Sequence, residues 1–197
     1  MPRSFPRQFV ALALVAVCVP FLALTVAAQG QIERQGYFEV RSATTTLENG
    51  VYRLDARLQL VLSSEALEAL NSGVPLTIEL QTQVIRVRRF ILDEVEAEIS
   101  TTFELEYRPL SQRYIVQNLN SGDQESFATL FSALNNLGRI TSLPVIDEAV
   151  LDPDSGYRIR TRAMLQTQQY PAPLRLLFFW RSEWHLQSEW SEWILKP

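Results

Sequence analysis

From Val95 to Tyr107 the chain alternates without a break. Val95, Ala97, Ile99, Thr101, Phe103, Leu105 and Tyr107 fall on one parity, and Glu96, Glu98, Ser100, Thr102, Glu104 and Glu106 on the other. A helix would scatter both sets around its circumference, whereas a strand sends them to opposite faces, one dry and one wet. Tyr52, Leu54, Ala56, Leu58, Leu60 and Leu62 repeat the pattern against Arg53, Asp55, Arg57 and Gln59. Half-buried strands of this kind belong to antiparallel sheets that cover a core with one side only. A third run places Leu76, Ile78, Leu80 and Val84 together, then reverses, so that Ile85 and Val87 become the apolar set and Arg86 and Arg88 the polar one. The reversal predicts a one-residue bulge near Val84-Ile85, which would carry later side chains to the other face. A turn at Asp93-Glu94 then closes a long hairpin with Arg86 and Arg88 opposite Glu96 and Glu98.

Further strands are expected at Tyr37–Thr46, Gln112–Leu119, Tyr157–Tyr170 and Trp184–Leu195. Asn120-Ser121-Gly122-Asp123 and Pro153-Asp154-Ser155-Gly156 read as turns, because Gly, Asn and Asp accept the backbone angles that turns require. Two short helices interrupt the strands. The first follows Ser63-Ser64 through Glu65–Asn71, with a serine cap, an acid at its positive end and Gly73 to stop it. The second carries Phe127, Leu130, Phe131, Leu134 and Leu137 on one face and stops at Gly138. The predicted fold is mainly β, an antiparallel β-sandwich with two short helical excursions.

The N-terminus is a separate unit. Arg3 and Arg7 precede a nearly uninterrupted apolar run at residues 9–26, followed by Val26-Ala27-Ala28. This is the pattern of a secretory signal over residues 1–28, leaving residues 29–197 as one β-sandwich domain. An uncleaved anchor through residues 9–26 is the alternative, since that run is just long enough to span a bilayer. Both readings place the domain outside the cytoplasm, either periplasmic or secreted, or held on the inner membrane facing the periplasm. A lipid on Cys18 is a third, weaker fit, because Val17 is bulky where lipoprotein signals carry small residues. Cleavage takes the 18 basic residues to 16 against 22 acidic, a net charge of about −6. That balance argues against nucleic acid, which needs a concentrated basic surface. It also removes the single cysteine, so core burial must hold the domain without disulfides.

Chemistry-bearing residues are sparse. His185 is the one histidine, so any Ser-His-Asp hydrolase would have to use it. A strand histidine among tryptophans is the simpler reading. One histidine and no mature cysteine do not make a usual zinc site, and no cofactor motif is present. Asp147, Glu148, Asp152 and Asp154 crowd together, but the rest of a calcium loop is missing and turn chemistry accounts for them. Glu96, Glu98, Glu104 and Glu106 read as a solvated strand face rather than opposed glycosidase carboxylates. Arg158, Arg160 and Arg162 project from one face of one strand, either as a basic stripe with Arg86 and Arg88 or as partners of those glutamates. The apolar Leu174–Trp180 stretch with Phe178 and Trp180, followed by Trp184, Trp190 and Trp193, supplies either core or a docking surface.

Three stretches together resemble one family: Ser64-Glu-Ala-Leu-Glu-Ala-Leu-Asn-Ser-Gly-Val-Pro-Leu onward to Val84, Leu110-Ser-Gln-Arg-Tyr-Ile-Val-Gln-Asn-Leu-Asn-Ser-Gly, and Trp184 and Leu186 leading into Ser188-Glu189-Trp190-Ser191-Glu192-Trp193. They are similar to the proteobacterial domain of unknown function 4390, from roughly Tyr37 to the end. The resemblance implies an exported envelope domain whose genes often sit near a sensor histidine kinase, and it supplies no catalytic residues. The expected role is a non-enzymatic interaction or accessory module with an envelope or inner-membrane partner. A binder of an apolar or glycan ligand between the sheets is the alternative, and a hydrolase built on His185 the third.

Overall fold

The computed structural model describes residues 34–89, 92–166 and 185–195. Two antiparallel sheets form the domain. The smaller has the order β1-β2-β7, from Tyr37–Glu48, Val51–Val61 and Arg139–Asp147. The larger has the order β6-β5-β4-β3-β8-β9, from Gln124–Phe127, Arg113–Asn118, Glu94–Arg108, Leu76–Val87, Gly156–Gln166 and Ser191–Leu195. Among the described residues the chain changes sheet three times, each time through a helical turn: α1 (Ser64–Asn71) after β2, α2 (Leu130–Leu137) after β6, and a 3-10 turn (Glu148–Val150) after β7. A short helix pairs most of its own backbone groups while it crosses from one layer to the other.

The expected alternation places the core. Tyr52, Leu54, Ala56 and Leu60 of β2, with Leu62 just beyond it, are buried against Leu76, Ile78, Leu80 and Val84 of β3 and Tyr157, Ile159, Ala163 and Leu165 of β8. Each leucine, isoleucine or valine among them contributes roughly 1.5–3 kcal/mol when taken out of water. One polar row crosses this dry face: the buried Thr82 and Thr161 hydroxyls pair at 2.9 Å, and Thr161 also donates to the Gln81 carbonyl at 3.1 Å. Satisfying both hydroxyls removes the desolvation cost of burying them.

The bulge lies where expected along the hairpin but on the other strand. Val84 faces Ala97 and Ile85 faces Val95, so Glu96 is the extra residue and the bulge belongs to β4. β3 keeps an unbroken register with β8, with Val84 opposite Ile159 and Ile85 opposite Arg158. Ile85 and Val87 therefore stay on the outer face, and Val95 is turned out to 47 % exposure. Arg86 points the opposite way from the expected basic stripe. It is opposite Tyr157, donates to the Tyr157 hydroxyl at 2.9 Å and lies 3.4 Å from Glu96. Arg88 pairs with Glu94, not Glu98.

Ser63 caps α1, accepting from the Ala66 amide at 3.2 Å, and Gly73 follows at φ +84°. The second helix is shorter than its apolar pattern predicts. Thr129 caps it, Phe127 belongs to β6, and Phe131 is 81 % exposed. With only two turns, the inward stripe is narrow and is filled by Ala133 and Leu137. Strands β6 and β7 were not expected from the sequence. Gln-Glu-Ser-Phe has no apolar alternation, and β7 carries Pro144, a positive φ at Ser142 and two register shifts against β2. Such irregularity is tolerated because β7 is an edge strand. Among the described residues no helix is long and apolar enough to cross a membrane. Residues 1–28, and the parts of the expected strands beyond Gln166 and before His185, lie outside the described residues.

Two glycines set how closely the crossings approach the sheets. At Gly138 an added Cβ would lie 2.5 Å from the Leu58 carbonyl oxygen, and the Gly138 carbonyl accepts from the Leu58 amide at 2.8 Å. At Gly36 it would lie 2.3 Å from the Ser63 amide nitrogen. Gly138→Ala is expected to lower the unfolding free energy by about 1–3 kcal/mol, because backbone must move to admit the methyl group. Gly156→Ala, whose Cβ would meet only Val87 at 4.0 Å, is the matched control and should change stability by less than about 0.5 kcal/mol. Urea denaturation of the two variants checks the difference, and equal midpoints would contradict it.

Candidate functional site: a tryptophan under two arginines

The outer face of the six-stranded sheet is built from the residues that alternate with the core. Register places Arg162 opposite Gln81 and Arg160 opposite Gln83 across β8 and β3, then Gln81 opposite Ser100 and Gln83 opposite Glu98 across β3 and β4. The side chains link in the same order. Arg160 Nε donates to Gln83 Oε1 at 2.8 Å, and Arg162 Nε donates to Gln81 Oε1 at 2.9 Å. Both glutamines turn their amide donors to the same carboxylate: Gln83 Nε2 to Glu98 Oε2 at 2.8 Å, and Gln81 Nε2 to Glu98 Oε1.

Trp190 completes the ladder. The Arg162 and Arg160 guanidinium carbons stand 4.3 and 4.5 Å from its ring centroid. This is the range in which a cation is held by the negative face of an indole, a contact worth about 0.5–1 kcal/mol at exposed sites. Among the described residues, Arg160 and Arg162 make hydrogen bonds only through Nε, so their terminal amino groups remain as donors. The third arginine differs. Arg158 is bound by Asp93 on one side and by Glu192 at 2.6 Å on the other. Of the expected glutamate partners only Glu96 pairs with one of these arginines, Arg86; Arg88 pairs instead with Glu94 and Arg158 with Asp93 and Glu192, and among the described residues Arg160 and Arg162 form no ion pair with a carboxylate.

The two described C-terminal tryptophans face opposite ways. Trp193 is opposite Ile159 on the inner side, packs on the core, and donates through Nε1 to the Thr45 hydroxyl at 2.5 Å, tying the two sheets together. Trp190 lies with the arginines on the outer side. Phe178, Trp180 and Trp184 lie outside the described residues. His185 is exposed. Asp152 accepts from the Asp154 amide at 3.0 Å and the Ser155 hydroxyl at 2.9 Å, and Asp147 accepts from the Ala149 amide at 2.8 Å, so both acids do turn work. Those bonds hold the Asp152 carboxyl below the usual range. Glutamines Gln81 and Gln83 were missed by sequence reasoning. Their signal was there, as two amides on the wet parity of a strand whose other polar residues are charged or hydroxylated, but their partners come from strands far away in the chain.

Glu98 is held below the usual glutamate range, first by the amide of Gln81, then by that of Gln83, with the charges of Arg162 and Arg160 adding to the effect. A depressed folded-state value means its contribution to stability is complete above the ordinary glutamate pKa of about 4.3 and is lost as pH falls through the lower, folded-state value. Carbon-detected NMR titration of the Glu98 carboxyl should give a midpoint below that ordinary value, and the Gln81→Ala, Gln83→Ala double variant should bring it back up. A midpoint at or above the ordinary value in the parent chain would refute the ladder.

The family model described as Domain of unknown function (DUF4390) matches residues 36–194. No curated protein and no solved structure matches the chain.

Proposed function

The chain belongs to this family of unknown function, and on that footing we propose that it is a non-enzymatic module, exported by residues 1–28, that docks an acidic segment of an envelope or inner-membrane protein on the outer sheet face. The observation that carries the reading is the pairing of Arg160 and Arg162 with neutral glutamine amides instead of carboxylates. Each guanidinium is fixed at Nε and stacked on Trp190, and its terminal donors point to no acceptor of the described residues. A guanidinium held this way loses little freedom when it grips a carboxylate through two parallel hydrogen bonds. Arginine and tryptophan are also the residue types that dominate binding energy at protein interfaces. A periplasmic sensor domain is the partner that the family resemblance favours.

A photo-cross-linking residue placed at the exposed Glu189, beside the ladder, tests this in cells. The expected result is a discrete adduct that falls at least about tenfold in the Arg160→Gln, Arg162→Gln double variant, in line with the loss of about 2 kcal/mol or more that marks an interface hot spot. The same cross-linker at Phe131, on the exposed side of α2, should give no such adduct. An adduct at residue 189 that survives the double variant, or one of equal yield from residue 131, would overturn the proposal.

A further inference from the structure

The outer face of the six-stranded sheet does not end at the ladder. One row beyond Arg160 and Gln83, register sets Ile194 of β9, Arg158 of β8, Ile85 of β3 and Val95 of β4 side by side. The row after that holds Val87 opposite Gly156, which has no side chain to cover it. Ile85 is buried, but Ile194 is 72 % exposed, and Val95 and Val87 are exposed as well. Single apolar side chains on a surface are ordinary, whereas adjoining ones mark contact sites.

Charge divides the face in the same way. Arg158 lies in the apolar row, but Asp93 and Glu192 answer its charge from both sides. Glu192 stands opposite Arg160 in register, yet gives its carboxylate to Arg158 at 2.6 Å. Arg160 and Arg162 keep their terminal donors, as described above. Outward side chains of one strand recur every second residue, about 6.6–6.8 Å apart. Along β8 the face therefore offers three positions at equal steps: a free cation at Arg162, another at Arg160, and then an apolar surface around the neutralised Arg158. An extended segment lying along the strand takes the same step, so its residues i, i+2 and i+4 meet the three positions in turn.

We propose that the segment docked here is extended and carries two acids at alternate positions, with a large apolar side chain two residues further on. Its carboxylates lie on Arg162 and Arg160, and its apolar side chain on Ile194, Val95 and Val87. This inference rests on the docking reading above and deepens it. Charge alone would accept any acidic chain, and the apolar step supplies the discrimination that charge lacks. It also keeps water from the adjoining ion pairs, as the surroundings of an interface hot spot do. An anionic bilayer is the poorer occupant, because its headgroups would press on Glu98 and Glu192 together with the arginines. A single narrow segment follows β8, which runs between the strands that carry those two acids.

Fluorescence anisotropy of labelled peptides titrated with the purified full-length chain tests the pattern. The probes are Ser-Glu-Ser-Glu-Ser-Leu-Ser, the same peptide in reverse order, a version with Asn in place of Leu, and one with the two acids adjacent. The face fixes no chain direction, so the patterned peptide should bind in at least one of its two orders. It should bind at least about tenfold more tightly than the Asn and adjacent-acid versions. Ile194→Ser should remove the advantage over the Asn version without changing the melting temperature, because that side chain is exposed. Val87→Ser is the second variant and should act in the same direction. The Arg160→Gln, Arg162→Gln double variant should weaken every acidic peptide. Equal binding of the Leu and Asn versions, or of spaced and adjacent acids, would overturn the pattern and leave acidic docking standing. Silence of all peptides at about 1 mM, where a site of that dissociation constant is half filled, would also overturn it, and the cross-link from residue 189 then judges the docking reading by itself. Binding to phosphatidylglycerol vesicles that Ile194→Ser abolishes, with no peptide bound, would assign the row to a bilayer instead.

Discussion

The dry face of the six-stranded sheet is what the rest of the molecule depends on. Without a disulfide among the described residues, the two layers are held by apolar side chains that strict alternation delivers to one side of β2, β3 and β8. The crossings must then pass close over that layer. Gly36 and Gly138 are the places where backbone meets backbone, with no room for a side chain. Shape at these two points, more than helix propensity, sets where α1 and α2 lie.

The wet face follows from the same alternation, but its chemistry does not. A row of arginines beside a row of glutamates would ordinarily collapse into ion pairs of little net value. Here two glutamines stand between. Each accepts from a guanidinium and donates to Glu98, so the negative charge of one carboxylate is passed through neutral amides to two arginines without capping their ends. Bonds in series polarise one another, and each member is fixed by its neighbours. The face is therefore ordered and still carries positive charge, a combination that a direct arginine–glutamate pair such as Arg158–Glu192 cannot offer.

The two edges of the sandwich complete the division. Trp193 closes one side with a side chain that is half core and half hydrogen-bond donor, the use to which a partly buried indole is suited. On the other side the sheets end in the irregular β7 and the four-residue β6, and α2 lies between them with Ala133 and Leu137 in the core.

Local pattern alone determined the faces of β2 and β8 and of β3 up to Val84, the existence of a bulge near residue 85, the serine cap of α1 and the turns at Gly122 and Gly156, because each depends on residues within a few positions of one another. β6 and β7 escaped it, since an edge strand can form from backbone pairing with no alternation to show. Tertiary structure decided that the extra residue is Glu96 on β4, that Arg86 turns away from the other arginines, and that Trp190 and Trp193 face opposite sides. It also decided the ladder, whose arginines meet glutamines 77 and 81 residues distant. The physical reason is that alternation is a property of one strand, whereas register is a property of two. A shift of a single residue between β3 and β8 would have kept every local signal and set each arginine beside a different partner.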